Sequence, residues 1–224
     1  MKQTGLHERI HKGFRVWLFE TGIRVQQTDF SETSEGKSLT LELRELLDVL
    51  DRKFLWETQF FFPALALEAP FSISLLEEEK KEAESLVRSL GRLVLQYEQP
   101  GTPAHIQKTG MAIQEAYDKL LSFLMVYMNH QDALFRQVSG QDEAGTADLQ
   151  QLVNLFSIHS EGSEKWTLMV LKSLSFRELK HWLETGGNKG NRSSRYWAER
   201  LDPDMVGRLK AAGVFAPSTL KVAA

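Results

Sequence analysis

The 224-residue sequence has no cysteine, which removes disulfides, thiolate nucleophiles and cysteine zinc sites together. Long apolar runs are missing too: no segment approaches the roughly 20 uninterrupted apolar residues that a helix needs to cross a bilayer. The opening residues, MKQTGLHERIHKGFR, hold no apolar stretch that would read as a signal peptide. Neither sign of charge predominates. A net charge of -3 and a pI near 6.1 give no general attraction to nucleic acid or anionic lipid. The chain also lacks a phosphate-cradling glycine loop, a nucleophile elbow and a His-Glu-x-x-His zinc motif. We therefore expect a cytoplasmic, non-enzymatic protein with no nucleic-acid partner and no membrane partner.

Helical periodicity dominates what is present, and strand alternation is nearly absent, so the sequence reads as all-α. His7, His11, Phe14, Leu18, Gly22 and Val25 recur at three- and four-residue steps over about 6–27. After a polar loop at 28–37, a second segment over about 38–62 carries Leu43, Leu46, Leu50, Phe54, Phe60 and Phe61 on one face, and Pro63 and Pro70 are expected to end it. A third segment, about 72–97, opens on serines able to cap and turns Leu76, Ala83, Leu86, Leu90 and Leu93 inward. Thr102 is a cap candidate ahead of Pro103, which opens a fourth segment running to about 138 with the stripe Ala116, Leu120, Phe123, Tyr127, His130, Leu134. Four such segments predict an up-down-up-down four-helix bundle over 1–140. Beyond it, shorter helices near 147–157, 164–172, 175–185, 193–201 and 203–212 predict a helical extension over 141–224, packed on the bundle.

Four positions inside the stripes are titratable: His11, Lys53 with Glu57, and His130. Glu79 lies one turn after Leu76 on the third stripe. Such groups are rarely buried unless paired or bound to a metal. In antiparallel neighbours His11 and Glu57 fall at one end of the first pair of helices, and Glu79 and His130 at matching heights in the second. Imidazole and carboxylate projecting inward at one level is how bundle cores build di-iron and similar sites, and the ligand types suit Fe, Mn or Zn.

The order of a His early in the first segment, KFLWETQFFFPAL in the second, LLEEEKK in the third and NHQDALF in the fourth resembles the hemerythrin-like, or HHE cation-binding, domain. The resemblance covers about 6–138. It implies that His11, Glu57 and His130 match ligand positions, whereas Lys53 stands where the second helix would carry a His. Glu79, or Lys80, stands at the third helix's His, and Leu134 at the bridging carboxylate of the fourth. The resemblance thus implies a cation-binding type of bundle with an eroded metal centre, serving as a non-catalytic binding or sensing protein. It holds either no cofactor or a single Fe, Mn or Zn ion on His11, Glu57 and His130 with help from Glu79.

The substitutions suggest a metal-free version. Lys53 and Glu57 are four apart on one face and in reach of each other, so the ammonium can supply the positive charge of a metal, with Glu79 approaching from the next helix. Singly, each residue also has an ordinary reading: Lys53, for example, snorkelling to water while its stem packs on Phe54 and Trp56. A second functional reading is an interaction protein, metal-free, whose C-terminal Phe176, Leu179, Trp182 and Trp197 bind a partner or make a homo-oligomer.

Overall fold

The computed structural model describes residues 6–139, 164–184, 196 and 200–214. The described residues are helical, with no strand among them. Helix α1 spans Leu6–Gln27, α2 Thr33–Trp56, α3 Phe62–Glu68, α4 Pro70–Tyr97 and α5 Pro103–Ser139; three short helices follow, α6 Glu164–Ser173, α7 Phe176–Glu184 and α8 Pro203–Ala211. No helix among them is long and apolar enough to cross a membrane. The expected helix at 147–157 lies outside the described residues, as does nearly all of that at 193–201.

The four long helices touch in a cycle, α1 on α2, α2 on α4, α4 on α5 and α5 on α1. Residue pairs give their directions. Arg24 meets Glu42 while Lys53 lies over the Phe14 ring, so α1 and α2 are antiparallel. Gln26 meets Asp118 while His11 meets Asp132, so α1 and α5 are antiparallel as well. Gly36 at the start of α2 lies against Tyr97 at the end of α4, and Lys80 near the start of α4 lies over Phe54 near the end of α2.

The seam between these helices is largely apolar. Phe14, Trp17, Leu18, Leu39, Leu43, Leu46, Leu50, Phe54, Phe61, Tyr117 and Tyr127 are fully buried, each large side chain contributing about 1.5–3 kcal/mol on leaving water. Two buried tyrosines satisfy their hydroxyls on backbone of a neighbouring helix or loop. Tyr117 donates to the Leu18 carbonyl at 2.6 Å and Tyr97 to that of Phe30 at 3.1 Å. Burial holds the Tyr117 hydroxyl well above the usual phenol range.

Both ends of α2 differ from the sequence expectation, and α4 opens on Pro70 after Ala69 with no capping serine. Helix α2 begins at Thr33, inside the polar loop, because that loop is already closed by Asp29, whose Oδ1 accepts from the Ser31 amide at 2.8 Å and the Ser31 hydroxyl at 2.6 Å. At its other end Pro63 does not stop the chain. A π-helical turn over Glu57–Phe61 intervenes, in which the Phe62 amide donates to the Glu57 carbonyl five residues back, and α3 continues through Pro63 in its first turn. Proline has no amide to give, and its ring crowds the carbonyl four residues earlier. Widening the preceding turn relieves that crowding without breaking the rod. The break comes at Ala69, in a non-helical conformation (φ -142, ψ 62), as suits a residue followed by proline. Thr102 caps α5 as expected, accepting from the His105 amide at 3.3 Å.

Helix α6 crosses α1 at Gly13. A β-carbon there would stand 2.8 Å from Val170 Cγ2 and 3.2 Å from its Cα, so glycine is what allows the two backbones to approach. Lys172 to Glu20 (2.8 Å) and Lys165 over the Trp17 ring (5.5 Å) tie the same crossing down, and Lys165 to Glu45 (3.5 Å) joins α6 to α2. Beyond it Leu171, Leu174, Leu179, Leu201 and Leu209 form a second, smaller core, with Phe176, Met205 and Val206 against it. Helix α8 starts on Asp202, whose side chain accepts from the Asp204 and Met205 amides, and ends on Gly213 at φ 77.

Candidate functional site

The candidate residues sort into an interior cluster and two flanking pairs. Lys53, in the last turn of α2, is 2 % exposed and Glu57, the first residue of the π-helical turn, 1 %. Four residues apart on a helix, they face each other, and the Lys53 ammonium donates to Glu57 Oε1. Two side chains of α5 complete the cluster. The Tyr127 hydroxyl donates to Glu57 Oε2 at 2.8 Å, and the Gln131 amide donates to Glu57 Oε1 at 2.8 Å while its oxygen accepts from Lys53 at 3.4 Å. Burial, and next the charge and hydrogen bond of Glu57, push the Tyr127 hydroxyl far above the usual phenol range, so it stays a donor. The ammonium also lies 5.1 Å from the ring centre of Tyr127, 5.7 Å from that of Phe54 and 5.9 Å from that of Phe14, within reach of cation–π attraction.

The first flanking pair lies on the α1–α5 seam. His11, 1 % exposed, shares a hydrogen bond of 2.7 Å between Nδ1 and Asp132 Oδ1, and Arg15 donates to the other oxygen of Asp132 at 2.7 Å. Asp132 is thus held by an imidazole inside and a guanidinium nearer the surface. The second pair joins α4 to α5: His130 Nδ1 and Glu79 Oε1 are 2.6 Å apart, with the His130 side chain 48 % exposed. The second oxygen of Glu79 is buried without a hydrogen-bond partner.

The four candidate metal ligands therefore meet three different surroundings. Glu57 is engaged by an ammonium, a phenol and an amide; His11 by Asp132; Glu79 and His130 by each other at the outer seam. Among the described residues no three His, Asp or Glu side chains form a group able to hold a metal ion, and Leu134, where the resemblance expects a carboxylate, is buried among apolar neighbours. These residues do not fit a metal centre as they stand. Glu79 does not approach Lys53 as a second carboxylate; Gln131 takes that place.

The reason lies in the phase of α5. Its buried stripe is Ile113, Tyr117, Leu120, Leu124, Tyr127, Gln131, Leu134, which shares 120, 127 and 134 with the expected stripe but takes Gln131 where His130 is expected. One residue is about 100° around a helix, enough to carry His130 from interior to rim. Asp132, Arg15 and Gln131 are missing from the sequence reading. The signal that finds Gln131 is the sequence's own Leu124, which fits the three-and-four rhythm as well as Phe123 does. Nothing in the sequence alone points to Asp132 as the partner of His11.

Among the C-terminal residues expected to meet a partner, Leu179 is fully buried in the second core, and Phe176 packs against that core with Arg208 lying 4.5 Å over its ring. Both are used internally. The side chain of Trp182 and the whole of Trp197 lie outside the described residues. Comparison with protein-family models, with curated proteins and with solved structures gives no match.

Proposed function

We propose that the chain is an up-down-up-down four-helix bundle derived from a hemerythrin-like, cation-binding ancestor, in which an interior ion pair has taken over from the metal, and that it serves as a non-catalytic binding or sensing protein. The observation that carries this reading is Lys53. At the position where the resemblance expects an imidazole ligand, its ammonium sits on Glu57, a residue that matches a ligand position, at the centre of the packed helices. A cation is still present at that depth, now covalently attached. The donors that would have served a metal are turned to other partners: Tyr127 and Gln131 saturate Glu57, and Asp132 holds His11.

Elemental analysis of protein purified without added metal, together with thermal melts with and without chelator, tests the reading. The expected result is no stoichiometric Fe, Mn or Zn and superimposable melts. Stoichiometric metal with a chelator-sensitive melt would overturn it in favour of a single-ion site. Restoring the expected ligands, Lys53→His with Leu134→Glu, should raise metal uptake above that of the wild type if the ancestry is correct.

A further inference from the structure

The interior around Lys53 has the composition of a receptor for one particular kind of cation. Three aromatic rings, Phe14 from α1, Phe54 from α2 and Tyr127 from α5, lie 5.1–5.9 Å from the nitrogen. The negative faces of such rings attract any cation, organic ones included. The polar complement is one carboxylate, Glu57, and one amide oxygen, Gln131. That set accepts N–H bonds from a group with several donors pointing different ways, as an ammonium has and a quaternary ammonium lacks. A divalent metal would ask for at least three imidazole or carboxylate ligands converging, and no such group exists among the described residues. A planar guanidinium needs a fork of acceptors that one carboxylate, already holding the Tyr127 hydroxyl on Oε2, does not offer.

We propose that Phe14, Phe54, Tyr127, Glu57 and Gln131 form a binding site for a primary alkylammonium, filled in the native protein by Lys53 as a tethered ligand. This rests on the reading of the interior as metal-free, and it names the ligand class of that interior. The tether explains how a charge can be held at 2 % exposure: the cation enters as the chain folds and pays no separate association entropy. It also means the site is closed to outside ligands for as long as position 53 is lysine. Shortening that side chain to alanine removes three methylene carbons and the nitrogen, leaving a hollow with the polarity of a short alkylammonium such as n-propylammonium.

The test is a thermal melt of Lys53→Ala in n-propylammonium chloride, with sodium, tetramethylammonium and guanidinium chlorides at the same concentration as controls. The expected result is a melt far below that of the wild type that n-propylammonium raises saturably by several degrees and the three controls do not. Lys53→Met, which fills the hollow without charge, and the double variant Lys53→Ala, Glu57→Gln should show no such rise. An effect of n-propylammonium no larger than that of sodium overturns the proposal, as does an equal response in Lys53→Met, which would place the binding elsewhere. Stabilisation of Lys53→Ala by zinc or manganese chloride in place of the amine also overturns it. If Lys53→Ala is unfolded in buffer, recovery of helical circular dichroism on titration with n-propylammonium supports the site, and no recovery while Lys53→Met is folded overturns it. A chelator-sensitive wild-type melt would sink the proposed function whatever Lys53→Ala does, so the two failures are distinguishable.

Discussion

Two of the acid–base pairs in the candidate site lead opposite lives. Lys53 and Glu57 are 2 % and 1 % exposed, enclosed by three aromatic rings, with both carboxylate oxygens hydrogen-bonded. Glu79 and His130 are also in hydrogen-bond contact, at 2.6 Å, but the imidazole is about half in water. By sequence the two would be equals, each a titratable group on an apolar stripe. What separates them is one residue of helical phase in α5 and the number of elements that close over the pair. Hydrogen-bond contact alone therefore says little about what a pair is worth. Surroundings decide, because an interior charge that loses its partner cannot turn to solvent.

Breaking each pair measures that difference. Lys53→Met leaves the Glu57 carboxylate in the interior without its cation, and we expect a loss of about 3–5 kcal/mol in denaturant unfolding. Adding Glu57→Met should recover much of it, since replacing a whole buried pair by packed apolar groups is often neutral or better; no recovery would show that the cluster stabilises beyond mutual compensation. Tyr127→Phe removes only the donor to Glu57 Oε2 and should cost about 1–3 kcal/mol, the penalty for a buried acceptor left short. His130→Ala should cost no more than about 1 kcal/mol, the net range for a single hydrogen bond at a partly exposed site. A loss from His130→Ala comparable to that from Lys53→Met would erase the contrast.

The smallest effect concerns pH. Asp51, on the outer side of α2, has its carboxyl raised above the usual range by partial burial and then by the neighbouring carboxylates of Asp48 and Glu84. A raised acid binds its proton more tightly in the folded state, so its unfavourable contribution appears as pH climbs from the ordinary carboxylate value through the raised one and is complete above it. Asp51→Asn should accordingly stabilise slightly at neutral pH, with the gain over wild type vanishing in acid. A gain that persists unchanged at low pH would point to another cause.

Much of the helical layout is legible in the sequence because it follows from apolar spacing and a few stop signals. Pro103 behind Thr102 marks the start of α5, and the 164–173 and 203–211 helices lie where their patterns put them. The interior pair is legible too, since Lys53 and Glu57 are four residues apart on a stripe that has to be buried. What cannot be read is pairing between helices. Asp132 on His11, Gln131 on Lys53 and Glu79 on His130 depend on how far α5 is rotated, and a stripe running through either Leu124 or Phe123 leaves that angle undetermined by one position. Pro63 misleads for a different reason. Proline is a strong stop only when the turn before it is tight, and the widened turn at 57–61 lets the rod continue.

That widened turn has a consequence for how this protein can change over generations. It holds one residue more than a regular α-helix would use for the same length, so everything beyond it, including Phe61, Phe62 and Leu65 in the core, is set at an angle that suits the surplus. Deleting a single residue between Glu57 and Pro63 would close that turn to a regular helix and swing those three side chains away from the centre together. Point changes at the exposed positions of this stretch can be absorbed one at a time, whereas a change in its length would have to be matched at once by a new set of inward-facing residues downstream.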